Sequence, residues 1–349
     1  MMRVLKVIKG LAKRREVILK IIVSEYIATA VPVASETIFR SYDLGVSPAT
    51  IRNDMAYLEE EGYITRPHTS AGTIPLDKGY RYYVESLTKD VKLPPAEQRR
   101  IRSMFHGMDE EFEKWLKLAA AIVARFVRNA ALVTFPKSEQ SRFRHLEVVA
   151  IHEFLALLVL VLSDTMLKRQ LLSFSEPVTQ EQLTRLANKL NTAYSGLTSS
   201  EITAKKLPVS SLEEQIVGTV VNMMSVEDKL EYEEPYLDGL RLMLGQPEFV
   251  GKDRLLSLIE LMEAKGWLGS LLSQQADEEG VQVLIGEENR DEALHDLSLV
   301  VSRYGVPGRI GGAVLVIGPT RMDYRRAISS VGYVSDVLSD LVSGVYRGA

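Results

Sequence analysis

Cysteine is absent from this chain of 349 residues, and its absence excludes several kinds of chemistry. A chain without cysteine forms no disulfide, has no thiolate nucleophile and builds no cysteine-based zinc site. The composition fits a reducing compartment, and we expect the protein in the cytoplasm.

Long hydrophobic runs are also missing. The longest, "FLALLVLVLS" at 154–163, is far shorter than the roughly 20 apolar residues of a membrane-spanning helix. The first residues, "MMRVLKVIKGLAKRR", are basic but lack a long apolar core and a small-residue cleavage site. We therefore expect no signal peptide and no membrane partner.

Sequence motifs of enzymes are scarce. No nucleophile elbow, P-loop or dinucleotide fingerprint occurs. The one cluster that resembles metal ligands (His145, Glu147, His152 and Glu153) lacks the spacing of a zinc-binding helix. "GRIGG" at 308–312 lies between two predicted strands and indicates a hairpin turn rather than a phosphate site. We expect no catalytic residue, no metal and no cofactor.

Positive charge is in slight deficit, with a net charge of −4. Residues 1–90 contain 13 Lys and Arg against 11 Asp and Glu, which gives +2 and leaves −6 for residues 91–349. Phosphate contacts supply most of the non-specific affinity for DNA. A DNA-binding module in the N-terminal quarter would therefore need its positive charges on one face.

The N-terminal quarter has the pattern of a helix-turn-helix followed by a hairpin. Amphipathic helices are predicted at 13–29 and 35–45, and a third begins at Ser47 as N-cap with Pro48 in its first turn. "YITR" at 63–66 alternates as a half-buried strand does, and the chain returns and becomes helical within 73–87. Together these elements predict a winged helix-turn-helix over residues 1–90.

The third helix has a face suited to the major groove. With Ile51 at the centre of its buried side, the opposite side carries small and hydrogen-bonding residues, and the predicted recognition residues are Ser47, Ala49, Thr50, Arg52 and Asn53. The hairpin tip and its flanks offer further contacts to the DNA backbone: Arg66, His68, Thr69, Ser70 and Lys78. The pattern also suits an ordinary solvated amphipathic helix.

The remaining residues indicate mixed α and β structure. "DVKLPPAE" at 90–97 predicts a domain boundary, followed by helix to about Arg128. We predict a strand at 130–136, a three-stranded meander over 144–174, and helices from Pro177 to about residue 245 and over 253–274. Further strands are expected at 281–288, 297–304 and 311–319. The last helix is expected from Thr320, which has capping-box spacing to Asp323.

Several stretches resemble one family. "SPATIRNDMAYLEEEGYITRPHTSAG", "IPLDKGYRYYV" and the C-terminal "GPTRMDYRRAISSVGYVSDVLSDL" resemble the heat-inducible transcription repressor family HrcA. Thr73, Leu76 and Ala34-Ser35 depart from the usual pattern. The family has Arg at the position of Thr73, so its loss removes an expected wing contact to DNA.

The resemblance implies an α+β multidomain architecture. The winged helix at 1–90 would be followed by a GAF-like domain made of 96–142 and 249–349, interrupted by an inserted dimerizing domain at 143–248. The implied function is repression of chaperone operons of the groE and dnaK type. The implied partners are an inverted-repeat operator in double-stranded DNA of the CIRCE type, a second copy of the chain and a GroEL-type chaperonin.

The sequence alone leaves two questions open. An inverted repeat calls for a two-fold symmetric protein, and an apolar band in 213–230 is a candidate dimer interface (Ile216, Val220, Val221 and Met224), although it could equally be core. The alternative function is a metabolite-sensing winged-helix regulator, since GAF-like domains often hold small ligands. A roomy pocket with convergent polar groups would favour that alternative.

Overall fold

A computed structural model describes residues 11–68, 71–87, 91–107, 111–138, 140–162, 167–205, 210–229, 235–249, 268, 272, 280–307 and 310–347. The chain divides into two compact units. The first comprises 1–135, 234–304 and 312–349, and the second comprises 136–233 with 305–311.

The N-terminal part of the first unit is a three-helix arrangement with a hairpin. Its elements are α1 (Lys13–Thr29), α2 (Ser35–Ser41), α3 (Pro48–Glu60), β1 (Ile64–Thr65), β2 (Ile74–Pro75) and α4 (Asp77–Ser86). α1 has the predicted bounds, whereas α2 ends four residues early because Tyr42 is already extended. α1 and α2 both pack against α3, and β1 pairs antiparallel with β2. The predicted helix-turn-helix and hairpin are therefore confirmed as elements.

A six-stranded sheet underlies the rest of the first unit. Five strands follow one another in the order β8 (Tyr236–Asp238), β3 (Ala130–Val133), β11 (Ile310–Pro319), β10 (Leu297–Val306) and β9 (Val281–Ile285). The sixth, the short strand β4 (Lys137–Ser138), pairs antiparallel with the start of β11. β3 and the central strands are almost wholly buried. The helix α6 (Phe112–Val127) and the last helix α11 (Tyr324–Arg347) pack on this sheet, and α5 (Pro95–Phe105) packs on both of these helices. The short helix α10 (Leu240–Leu244) follows β8 and packs against β3.

Three local predictions need correction here. β8 was predicted as helix within the insertion, but it pairs with β3 in the sheet of the first unit. The helical run from 95 to 128 is two helices rather than one. Asp323, not Thr320, caps α11, since its side chain accepts from the backbone N–H of Arg326 at 3.0 Å. The helix predicted at 253–274 lies outside the described residues apart from 268 and 272.

The second unit is a meander covered by helices. β5 (Phe143–His152), β6 (Leu155–Leu162) and β7 (Leu167–Ser173) form an antiparallel sheet in that order, which confirms the predicted meander. α7 (Gln180–Tyr194) and α9 (Ser211–Lys229) contribute apolar side chains to the same core as the sheet, and α8 (Ser199–Ala204) joins them. Complete capping boxes at Thr179 and Thr198 start α7 and α8.

One face of this meander is buried and the other is not. Along β6, buried and half-buried residues alternate without a break from Leu155 to Leu162. The buried set packs on the helices, as the two-residue period of a strand dictates. The second unit overlaps the predicted insertion at 143–248, and the three-domain boundaries stay a prediction.

Candidate nucleic-acid interface

The start of α3 is built as its sequence predicts. The Ser47 side chain accepts from the backbone N–H of Thr50 at 3.2 Å, and Pro48 occupies the first turn. The two hydroxyl groups of Ser47 and Thr50 also lie 3.0 Å apart. This cap satisfies one of the free N–H groups at the helix start, and it holds the first turn in a defined geometry.

The two faces of α3 differ in exposure as predicted. Ile51, Met55 and Leu58 are at most 3% exposed and pack in the core of the N-terminal part. The opposite side carries exposed Ser47, Ala49, Arg52 and Asn53, while Thr50 is half-buried beside the cap.

The two longest polar side chains of that outer face are available. Within the described ranges, neither Arg52 nor Asn53 makes a hydrogen bond or an ion pair. Arg suits guanine edges and Asn suits adenine edges, and small Ala49 leaves room for close approach. The exposed face therefore has the groups needed to contact bases in a major groove.

A buried carboxylate holds α3 against α1. Asp54 lies on the inner side of α3, only 3% exposed, and accepts from Arg14 Nε at 2.5 Å and Arg15 Nε at 3.1 Å. Burial by itself would raise the pKa of Asp54, but the hydrogen bonds and charges of the two guanidinium groups outweigh it, and the pKa lies below its ordinary value. Arg15 also lies over the ring of Tyr57. The angle between α1 and α3 therefore depends on this ion pair.

We expect Asp54→Asn to lower the free energy of unfolding by about 2 kcal/mol at neutral pH, because it removes charged hydrogen bonds from a buried site. The lowered pKa gives the sign of the pH dependence. The stabilisation is complete above the unfolded pKa of about 3.9 and is lost as pH falls through the lower folded pKa. Urea unfolding of the wild type and of Asp54→Asn at pH values from neutral to acidic measures the difference in free energy of unfolding. Glu60→Gln, on the exposed side of α3, is the control. If the free energies of unfolding of the two proteins differed by the same amount down to the most acidic pH, the lowered pKa of Asp54 would be contradicted.

The hairpin beside α3 is polar, but several of its predicted contact residues have partners inside the protein. Arg66 forms an ion pair with Glu59 at 3.3 Å. Lys78 donates to the carbonyl oxygen of Glu61 at 2.5 Å and lies over the ring of Tyr63. Both are therefore at the C-terminal end of α3, away from its capped start. His68 is exposed. Thr69 and Ser70 lie outside the described residues.

Thr73 is not on the surface of the hairpin. It is 1% exposed, its backbone exchanges two hydrogen bonds of 2.8 Å with Val33, and its hydroxyl donates to the Val33 carbonyl at 3.1 Å. Thr73 thus joins the start of α2 to the hairpin. Thr73 itself is buried and offers no group to DNA, and the loss of the wing contact expected from an Arg at this position stays a prediction.

The cluster considered as metal ligands does not converge. His145 and Glu147 lie 3.6 Å apart on the meander, and His152 accepts from the backbone N–H of Phe154. Across the described ranges, no group of three or more acidic, His or Cys side chains is placed to hold an ion. No described helix is long and apolar enough to cross a membrane.

Comparison with known proteins gives two family matches. A DeoR-like helix-turn-helix domain matches residues 41–74, which hold α3 and the hairpin. The HrcA protein C-terminal domain matches residues 113–328. The heat-inducible transcription repressor HrcA of Dehalococcoides mccartyi strain 195 is 45% identical over 96% of this chain and 97% of its own length. The chain belongs to the HrcA family. The HrcA of Chloroflexus aurantiacus is 42% identical over 97% of the chain and 95% of its own length.

The HrcA family consists of DNA-binding transcription repressors and not of enzymes, in agreement with the exposed polar face of α3. The crystal structure of a hypothetical protein has the same overall fold, with a TM-score of 0.59, 24% identity, and coverage of 96% of this chain and 98% of its own.

The sequence-predicted dimer residues occupy the inside of the second unit. Ile216, Val220 and Met224 are at most 1% exposed and belong to its core, and Val221 is half-buried at the edge. These side chains pack within one chain, because α9 covers the inner face of the meander. A contact between two chains at these residues stays a prediction, and three of the four side chains are buried within one chain.

Proposed function

We propose that this HrcA-family chain represses chaperone operons by binding an inverted-repeat operator of the CIRCE type as a homodimer in the cytoplasm. The observation that carries the proposal is the outer face of α3, where Arg52 and Asn53 are exposed and have no partner in the described part of the chain. α3 would enter the major groove, and the hairpin would lie beside the neighbouring backbone. We also propose that a GroEL-type chaperonin modulates the activity, and that the sheet of the first unit with α6 and α11 is the GAF-like domain.

Operator binding at one fixed salt concentration tests the proposal. The wild-type protein should prefer a chaperone-operon inverted repeat over scrambled DNA. Arg52→Ala and Asn53→Ala should each weaken operator binding by about 10- to 100-fold, since one good base contact is worth roughly 1–3 kcal/mol. Scrambled DNA should be bound almost as before by Asn53→Ala, which keeps every positive charge.

Arg185→Ala is the matched control, because Arg185 is an exposed helical arginine in the second unit. Its contacts are local, an ion pair to Glu181 at 3.8 Å and a hydrogen bond from Nε to the carbonyl oxygen of Glu181 at 3.4 Å. The same titrations with added chaperonin test whether the chaperonin changes the affinity for the operator. Equal binding to both duplexes by every variant would reject α3 as the recognition helix.

For the homodimer, we propose the outer face of the meander as the contact surface. Its apolar side chains on β6 are half-buried, and those on the flanking strands are exposed: Leu155, Leu157, Val159 and Val161 on β6, Val149 and Ile151 on β5, and Leu167 and Leu171 on β7. A contiguous apolar surface of this kind indicates an interaction site.

Charge on this surface favours a second copy as its occupant. Glu147 on β5 and Arg169 on β7 flank Val159 on opposite sides of one row across the sheet. A two-fold axis parallel to β6 would place β5 of one chain over β7 of the other. Glu147 of each chain would then face Arg169 of the other, which gives two equivalent ion pairs. Aliphatic residues would face each other in the neighbouring row of Val149, Leu157 and Leu171. Arg169 has no ion-pair partner in the described part of its own chain.

A further inference from the structure

A polar contact joins α4 to the sheet of the first unit. Arg81 donates from Nε to Glu288 Oε1 at 2.7 Å and from Nη2 to the carbonyl oxygen of Val283 at 2.7 Å, and Nη2 also bonds the second carboxylate oxygen of Glu288. This is a two-pronged contact between a planar guanidinium and a carboxylate, which fixes direction as well as distance. The residues are about 200 positions apart in the chain.

A second residue of α4 reinforces the contact one turn earlier. Asp77 accepts from the backbone N–H of Glu287 at 3.0 Å. Gly286 has a φ of +51°, and a Cβ there would overlap the Asp77 carboxylate. The turn after β9 is thus shaped to receive α4. Glu288 also braces this turn, since it accepts from the backbone N–H of Ile285 at 2.9 Å.

A third contact joins α1 to the start of α11. Arg321 donates from Nη1 to the carbonyl oxygen of Ile27 at 2.9 Å, while its Nε bonds Glu248 at 2.5 Å. Between these contacts, the buried rings of Tyr80 and Tyr324 lie 5.9 Å apart. The helix-turn-helix is therefore held to the sheet at two polar points on either side of an aromatic contact.

α4 and α3 are also tied to each other. The backbone N–H of Leu76 donates to the carbonyl oxygen of Tyr63 at 3.0 Å, and Lys78 donates to that of Glu61 at the end of α3. Any tilt of α4 on the sheet therefore carries α3 with it. A rotation of roughly 10° over a lever of about 20 Å moves a group by about 3.5 Å, the rise of one base pair.

We propose that Asp77 and Arg81 are positioning residues that set the direction of the recognition helix, and through it the half-site spacing that the dimer accepts. The contact of these two residues with 283–288 is here called the α4 latch. This inference rests on the proposed function. Neither residue need touch DNA, because each acts through the orientation of α3.

A series of operators with one base pair added to or removed from the spacer tests the latch. The wild type should lose about tenfold or more in affinity per step, because both recognition helices must meet their grooves in register. Arg81→Ala and Asp77→Asn should weaken binding to the natural spacing and reduce the loss per step to less than about threefold. Binding to a single half-site should stay within about twofold of the wild type. The control is Arg102→Ala, which removes the exposed Arg102–Asp340 ion pair of the same unit.

Spin labels measure the orientation without DNA. The chain has no cysteine, so spin labels attach only at cysteines that are introduced. Suitable positions are Ala56→Cys on the exposed side of α3 and Glu292→Cys after β9. A doubly labelled chain, diluted with unlabelled protein, should give a narrow distance distribution that broadens in Arg81→Ala and Asp77→Asn. An equally narrow distribution in the variants, or an equal loss of affinity on every duplex including the half-site, would overturn the latch. A wild type without preference for the inverted repeat would reject the proposed function, while the distances would still decide the latch.

Discussion

A single aspartate in place of Val159 is expected to convert the dimer into a monomer. Val159 lies half-buried at the centre of the outer face of the meander, between Glu147 and Arg169. In a symmetric contact about an axis parallel to β6, the two new carboxylates would face each other in the interface, and burying these like charges costs several kcal/mol. We expect the dimer dissociation constant to rise by about a thousandfold or more. In the separated chain the new carboxylate would face water, so the fold should persist.

Sedimentation measures the oligomeric state, and Val226→Asp on α9 is the matched control because Val226 is an exposed valine of the same unit. Charge exchange then tests the symmetry. Glu147→Arg alone should weaken the dimer, and Glu147→Arg with Arg169→Glu should restore it. A wild-type monomer, or dimers of equal strength in all variants, would reject this face as the contact surface. The monomeric variant should keep half-site binding and lose its preference for the inverted repeat.

Alanine at Gly79 is expected to destabilise the N-terminal part of the chain by about 3 kcal/mol or more, since overpacking against backbone forces whole elements apart. A Cβ at this position would overlap the carbonyl oxygen of Tyr63, which already accepts from Leu76. It would also lie 3.6 Å from the side chain of Leu19 in α1. α4 would have to move away from β1, and the contacts of α4 with the sheet would be lost with it.

The same substitution at Gly218 should act in the opposite direction. Gly218 is exposed in the middle of α9, and no atom lies within 4 Å of a Cβ placed there. Alanine should stabilise the chain by about 0.5–1 kcal/mol, because glycine loses more backbone freedom in a helix. Urea unfolding followed by circular dichroism compares the two variants. Shifts of the same sign would contradict this account of the packing around Gly79.

The N-terminal elements could be predicted from sequence because their signals are local. Ser47 and Pro48 mark the start of α3 within two residues, and the spacing of Ile51, Met55 and Leu58 identifies its buried side. The meander could also be predicted, because buried and half-buried residues alternate along its strand β6. Asp54 was missed as a structural residue, although a carboxylate on the apolar side of a helix signals a buried ion pair. Its partners, 39 and 40 residues away, carry no local signal.

The second unit shows where periodicity stops being informative. The band containing Ile216, Val220 and Met224 is apolar because α9 covers the meander, and a helix face buried within a chain has the same pattern as one buried between chains. The sequence predicted that the exposed aliphatic residues of β5 and β7 lie in strands, but it did not identify them as a possible contact surface. The short strand β8 resembles the end of a helical run, and only its pairing with β3 makes it a strand.

By itself, the sequence determined the helix-turn-helix, the polar outer face of α3, the meander and membership of the HrcA family. Each depends on residues within one or two turns, or on motifs preserved in order. The tertiary structure alone decided that Thr73 is buried, that Lys78 caps α3, and that Asp77 and Arg81 join α4 to the turn after β9. These contacts bring together residues far apart in the chain, and hydrogen bonding and burial between such residues leave no periodic trace in the sequence.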